Sequence, residues 1–269
     1  MFTTLYSDGG AKAQIAHHGA QVISWIPANQ TEQLFLSKTS SFEPGKAIRG
    51  GVPVIFPQFS DRGPLPKHGF ARNHLWQLRE SNQRNRAIFE LRDDAATRAM
   101  WPFPFLAELT VNLSDTALEM ELMIQNTGST AFQFTAALHN YFRVSQIGDV
   151  RLHGLQDCRY QDSVTGEQDC LDSAVSLAIR SEVDRIYMQA PSQVHVRQEQ
   201  QSIVLERKGF PDTVVWNPWQ ELGASLADLE PDGYQRMVCV ESAAIVDPVK
   251  LSPGASWCAG QAFIFTEIN

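Results

Sequence analysis

No apolar run in the 269 residues approaches the roughly 20 that a helix needs to cross a bilayer, so no membrane segment is expected. The first stretch, MFTTLYSDGGAKAQIAHHGA, lacks a basic end followed by an apolar core, so no secretory leader is expected either. Cysteine is scarce. Cys158, Cys170, Cys239 and Cys258 show no C-x-x-C spacing, which favours reduced thiols in a cytoplasmic protein over a disulfide framework, with a structural zinc as a remote second. Basic residues are outnumbered, 22 Lys and Arg against 30 Asp and Glu, leaving a formal charge of −8. Phosphate backbones demand a basic surface, so nucleic acid is not expected as a partner. Long amphipathic helices are missing as well, which removes the helical-bundle classes.

What is present is period two. In ALEMELMIQN, Leu118, Met120, Leu122 and Ile124 alternate with Glu119, Glu121 and Met123, the pattern of a half-buried strand. FLAELTVNL just before it reads the same way, and SDT between them is a turn signal. Further strands are expected in QVISWI, AIFELR, AFQFTAALHNYFRV, QVHVR, SIVLER, RMVCVE and CAGQAFIFTEI. Short polar turns such as NTGST, VTGEQD, EPDGY and LSPGAS separate the later ones. Many short strands with polar turns predict an all-β protein, an antiparallel sandwich or barrel. No repeat or linker breaks the pattern, so residues 1–269 read as one domain. The segment NPWQELGASLADLEPDGY is the least strand-like, with room for a short helical turn.

Against this acidic background one segment is basic. Residues 46 to 72 hold Lys46, Arg49, Arg62, Lys67 and Arg72 against Asp61 alone. A charge run is usually a solvated face. Here the charges alternate with GGVPVIFPQF and HGF, where glycine, proline and apolar residues argue for shaped loops packed on the body. Arginine's planar guanidinium donates two parallel hydrogen bonds to carboxylate or phosphate. Two arginines and a lysine converging on one pocket would favour a small anionic ligand.

The blocks AIRGGVPVIFPQF, LPKHGFARN, LHNYFRV, VDRIY, DTVVWNPW and MVCVES occur in this order. Together they resemble the hexose-6-phosphate mutarotases (glucose-6-phosphate 1-epimerases) of the aldose 1-epimerase superfamily, from about residue 45 to the C-terminus. The resemblance implies a large antiparallel β-sandwich of the galactose mutarotase type and the interconversion of α and β anomers of a hexose 6-phosphate. It makes His139 the catalytic acid and Glu241 the catalytic base. Arg49, Lys67, Arg72 and Asp184 fall on substrate-binding positions, and His68 on a sugar-contacting histidine of the wider superfamily. Lys67 stands where some relatives have glutamine, and Ser242 follows Glu241 where proline is common.

Anomer exchange opens the hemiacetal, turns the aldehyde face and closes the ring again. A base takes the proton of the anomeric hydroxyl while an acid protonates the departing ring oxygen, and the roles reverse on closure. An imidazole and a carboxylate on opposite sides of the sugar would serve, with no metal and no redox cofactor. Taken alone, His139 reads as a satisfied core histidine and Glu241 as a solvated strand edge; the resemblance overrides both. Asp184 beside Arg185 reads alone as a surface ion pair. Trp216 and Trp219 read as structural aromatics, and His17, His18, His74, His153 and His195 form no convincing metal-ligand set. Two rival functions remain: the same chemistry on a neutral hexose, and a non-catalytic carbohydrate-binding module on the same fold. The partner expected is a small-molecule hexose phosphate; the oligomeric state stays open, a monomer included.

Overall fold

The computed structural model describes residues 1–80 and 83–268. Among the described residues the chain builds two eight-stranded sheets and a three-stranded one. The first large sheet runs in the order Cys170–Leu171, Arg159–Asp162, Val183–Tyr187, Asp212–Asn217, Met237–Leu251, Phe132–Leu138 and Val54–Ile55, with Tyr141–Arg143 also paired to Met237–Leu251. The second runs Arg151–His153, Gln193–Arg197, Gln201–Lys208, Ser256–Glu267, Ala117–Asn126, Phe105–Leu113, Arg86–Arg92 and Gln77–Glu80. Strand pairs in both are antiparallel. The expected all-β architecture is therefore observed.

Side-chain alternation explains the layering. Along Ala117–Asn126, Leu118, Met120, Leu122 and Ile124 are buried while Glu119 and Glu121 face water. The main core joins residues of both sheets, including Phe105, Leu122 and Phe263 from one and Phe134, Val215 and Val240 from the other. Each such fully buried side chain contributes about 1.5–3 kcal/mol relative to exposure. The strand Met237–Leu251 is buried on both faces over its first half. Val238, Val240 and Ala244 point into the main core. Met237, Cys239, Ala243 and Ile245 point the other way, into two small apolar clusters under the loops. Glu241 shares the parity of this second set, so a period-two rule places it on the loop-covered face.

Three sequence expectations need correction. AFQFTAALHNYFRV is not one strand: Phe132–Leu138 ends before His139, and a new strand begins at Tyr141. The interruption has a local cause, since Asn140 reaches the Val240 carbonyl with its side-chain amide at 2.8 Å. Glu241 is not at a solvated edge but inside a fifteen-residue strand, 1% exposed. Arg185 pairs with Asp162 and Asp172 rather than with Asp184. The segment marked as least strand-like does hold the short helix Trp219–Ser225, and the four cysteines are free. No described helix is long and apolar enough to cross a membrane.

The glycines of the basic segment are required by the backbone. Gly51 has φ +59°, and a Cβ there would lie 2.1 Å from the Val22 carbonyl oxygen. Gly69 has φ +68°, and its Cβ would meet the Phe56 carbonyl at 2.3 Å. Gly254 also has positive φ, +75°, but with nothing within 4 Å. In urea unfolding, Gly254→Ala should therefore lose only the conformational cost, about 1–2 kcal/mol. Gly51→Ala and Gly69→Ala should lose distinctly more, because backbone must also shift. Equal losses at all three would mean the close approaches are not tight.

Candidate active site

The register of the first sheet assembles the site. Leu138 pairs with Ser242 and, beyond the interruption, Tyr141 pairs with Cys239. That register sets His139 directly across from Glu241. Glu241 in turn pairs with Val214, and Val214 with Ile186. One step along the strands, Tyr141, Cys239, Trp216 and Asp184 form a second row. The two rows floor a cleft of about 430 Å³, a volume usual for small-molecule sites. A larger cleft, about 550 Å³, lies by Trp101, Phe103 and Phe132, but no carboxylate or imidazole lines it.

At the centre of the floor, His139 Nε2 lies 3.3 Å from Glu241 Oε1. Both are buried, at 6% and 1% exposure. The expectation that they flank the sugar from opposite sides is thus corrected: they are neighbours on one face. Such spacing would suit an ion pair, but burial disfavours charge on either partner. Burial pushes the Glu241 carboxyl well above the usual carboxylate range, helped by the negative charge of Asp184 and opposed by Arg72. Burial likewise pushes His139 well below an ordinary imidazole, helped by Arg49 and Arg72. Both shifts act against the charged form of each group. Among the described residues, Glu241 Oε2 and His139 Nδ1 have no hydrogen-bond partner.

Directly behind the pair, the next residue in each strand faces the opposite way into a buried polar network. Asn140 and Gln261 exchange two amide hydrogen bonds, 2.9 and 2.7 Å. The Ser242 hydroxyl donates to Gln261 Oε1 at 2.6 Å. Gln261 belongs to the second sheet, so the network ties the segments carrying His139 and Glu241 to the opposite layer. The Ser242 hydroxyl is thus part of the tie between the two sheets.

Cations line one side of the cleft. Arg72 rises from the short turn Ala71–Asn73, fixed where Phe70 and Ala71 both donate to the Phe56 carbonyl. Its guanidinium donates to the Lys67 carbonyl at 3.0 Å, and its Nε has no partner. Among the described residues it has no carboxylate within ion-pair distance, and burial lowers its pKa. Arg49 differs. Its Nε and Nη2 contact Asp228 Oδ1 at 3.1 and 3.0 Å, and Nη1 donates to the Tyr141 hydroxyl at 2.9 Å. Burial alone would lower its pKa, but Tyr141 and Asp228 outweigh that and hold the charge.

Lys67 is exposed at the rim. His68 sits at φ +67°, an uncommon conformation outside glycine, and its Nδ1 accepts from the Ser60 N–H at 3.2 Å. Burial first, then His139, Arg72, Lys67 and Arg49, keeps this ring neutral, which leaves Nε2–H as its donor. Asp184 lines the far wall, its carboxyl pushed up mainly by burial.

All seven residues singled out in the sequence line this one cleft. Sequence reasoning left out two more that line it, Tyr141 and Trp216, and Asp228, which contacts Arg49. Tyr141 stacks on His139, ring centroids 4.7 Å apart and planes 9° from parallel. Trp216, read as structural, stands edge-on to both rings and beneath Arg49. Asp228, from the loop after the Trp219–Ser225 helix, had no signal but its charge. Trp219 does pack as expected, against Tyr234. Among the described residues, no group of three or more His, Cys, Asp or Glu side chains could hold a metal.

Comparison with known proteins gives the family and the fold. A plant protein of Cenchrus ciliaris named "Putative glucose-6-phosphate 1-epimerase" is 36% identical over 91% of this chain and 78% of its own. A protein of the same name in Escherichia coli K12 is 34% identical over 86% of this chain and 79% of its own. The crystal structure of a "putative mutarotase" from Salmonella typhimurium superposes with a TM-score of 0.91 at 30% identity, covering 99% of this chain and 90% of that one. At 18% identity and a TM-score of 0.81, a galactose mutarotase related enzyme from Lactobacillus acidophilus shares the fold, over all of both chains. The sequence signature of the aldose 1-epimerases spans residues 1–263. With two antiparallel sheets and a buried histidine–carboxyl pair on the floor of its cleft, this chain belongs to the aldose 1-epimerase family.

Proposed function

We propose that this protein is a glucose-6-phosphate 1-epimerase, interconverting the α and β anomers of a hexose 6-phosphate by general acid–base ring opening and closure. One observation carries the reading. The His139–Glu241 pair lies on the floor of a cleft whose wall offers Arg72, a half-buried guanidinium without a carboxylate partner. An arginine in that state gains from a ligand that brings negative charge. A neutral hexose would leave it uncompensated.

The side-by-side pair suits the chemistry. The anomeric hydroxyl and the ring oxygen are bonded to the same carbon, so two adjacent groups beneath that carbon reach both. Together His139 and Glu241 hold one exchangeable proton, and either tautomer is net neutral. From the tautomer that carries the shared proton on His139, Glu241 takes the proton of the anomeric hydroxyl as His139 protonates the ring oxygen, and closure runs the same two transfers in reverse, as microscopic reversibility requires. Tyr141 stacking keeps the imidazole plane fixed. The His68 Nε2–H and the Asp184 carboxyl serve as contacts for sugar hydroxyls, while Arg49, Lys67 and Arg72 face the phosphate.

Glu241→Gln and His139→Asn keep shape and lose proton transfer. Each should fold normally and lose on the order of a hundred- to ten-thousand-fold in rate, followed as anomer exchange by NMR and corrected for the spontaneous reaction. Wild-type rates in both would remove the pair from the mechanism.

The pH profile of kcat/KM should be a broad bell belonging to the coupled pair. Activity needs one shared proton. On the acid side a second proton must add to an imidazole whose pKa is lowered, so the acid limb falls below the ordinary imidazole range. On the alkaline side the shared proton leaves a site that holds it more tightly than an ordinary carboxyl, so that limb lies above the carboxylate range. A rate that climbs with pH and never descends would exclude a protonated acid.

Arg72→Ala removes one charge-assisted contact, worth about 1.5–3 kcal/mol, or roughly ten- to a hundred-fold in affinity. The KM for glucose 6-phosphate should rise by that factor while turnover of free glucose barely changes. If the wild-type protein prefers free hexoses, the neutral-sugar reading takes the place of this one.

A further inference from the structure

Arg49 and Arg72 face the same cleft, yet among the described residues only Arg49 has a carboxylate partner. The Nε–Nη2 edge of Arg49 is the edge a guanidinium offers to a bidentate anion. Here Asp228 Oδ1 fills it at 3.1 and 3.0 Å, while Nη1 is committed to the Tyr141 hydroxyl at 2.9 Å. A phosphate oxygen arriving at that edge must displace Asp228.

Without this carboxylate the ligand-free cleft would hold two guanidinium groups close enough to lower each other's proton affinity, with no anion between them. Leaving such charges uncompensated in a half-buried site is costly. Asp228 supplies the missing charge, and its placement is fixed by its neighbours in the chain. Leu229 is buried. Glu230 accepts from the Ser37 hydroxyl at 2.6 Å, from the Lys38 N–H at 3.1 Å and from Arg236 at 2.9 Å. The backbone around Asp228 is thereby pinned, but its own side chain remains one-third exposed. Rotation into water frees the Arg49 edge without moving the loop.

We propose that Asp228 is a built-in counter-ion, a specificity-determining residue that occupies the Arg49 edge in place of the ligand's anionic group and sets the affinity of the cleft for that group. This rests on the anionic-ligand reading above. The competition makes the cleft selective for a dianion that engages Arg49 and Arg72 together. A singly charged ligand gains too little at Arg49 to replace a carboxylate already seated there.

The test uses inorganic phosphate as a competitive inhibitor of the full-length protein. Asp228→Asn keeps the shape and removes the charge. It should lower the inhibition constant of phosphate on the order of tenfold, the scale of one charge-assisted contact, and narrow the preference for phosphate over singly charged dimethyl phosphate. Asp228→Glu keeps the charge and should stay near the wild-type constant. An unchanged or raised constant in Asp228→Asn, with thermal unfolding unaltered, overturns the inference, because Asp228 would then orient Arg49 rather than compete for it. Arg72→Ala, measured alongside, separates the two levels. If it weakens phosphate while Asp228→Asn fails to tighten it, only the counter-ion role falls. If phosphate binds Arg72→Ala as well as wild type and Asp228→Asn no more tightly, the anion site itself is rejected.

Discussion

The buried contact between His139 and Glu241 is the constraint around which the rest of the molecule is arranged. Two titratable groups at 3.3 Å in a dry environment are expensive unless they remain neutral and hold their geometry. The first sheet supplies the geometry through cross-strand register, and the loops over its outer face supply the dryness. The Asn140–Gln261–Ser242 network anchors both segments to the second sheet from behind. It is fully paired at the bonds that matter, so it fixes position without adding an unsatisfied buried group. The burial that completes the sandwich also shifts both proton affinities.

The charged wall follows a different logic. Its cations come from loops, where reach and shape are set by positive-φ residues at Gly50, Gly51, His68 and Gly69. The protein as a whole carries −8, so this basic cluster stands against an acidic background, and Asp228 pairs with one of its members, Arg49. Arg49 also connects the wall to the floor, because the tyrosine it holds is the one stacked on His139.

Much of this was legible in the residues. Alternation in FLAELTVNL and ALEMELMIQN gave the strands as they are, since a sheet with one wet face enforces period two. The strand Met237–Leu251 was harder. It is covered on both faces, so alternation marks sidedness but not exposure, and Glu241 looked like an edge residue. The chain from Ala131 to Val144 read as one strand because the interruption depends on a single side-chain amide, which no periodicity records. Asp184 looked bound to its neighbour Arg185, but adjacent residues of a strand point to opposite faces, and their partners lie far away in sequence.

What the sequence by itself determined is the all-β class, the glycine-shaped basic segment, and the imidazole, carboxylate and cationic residue types carried by the matching blocks. Those signals are local: period, turn chemistry and charge need only a few consecutive residues. Only the tertiary structure decided that His139 and Glu241 stand side by side rather than across a sugar. The same holds for Tyr141 and Trp216 walling them, and for Asp228 filling one edge of Arg49. Each of these depends on strand register and loop packing between segments up to 179 residues apart, and proximity of that kind is created by the closing of the sheets.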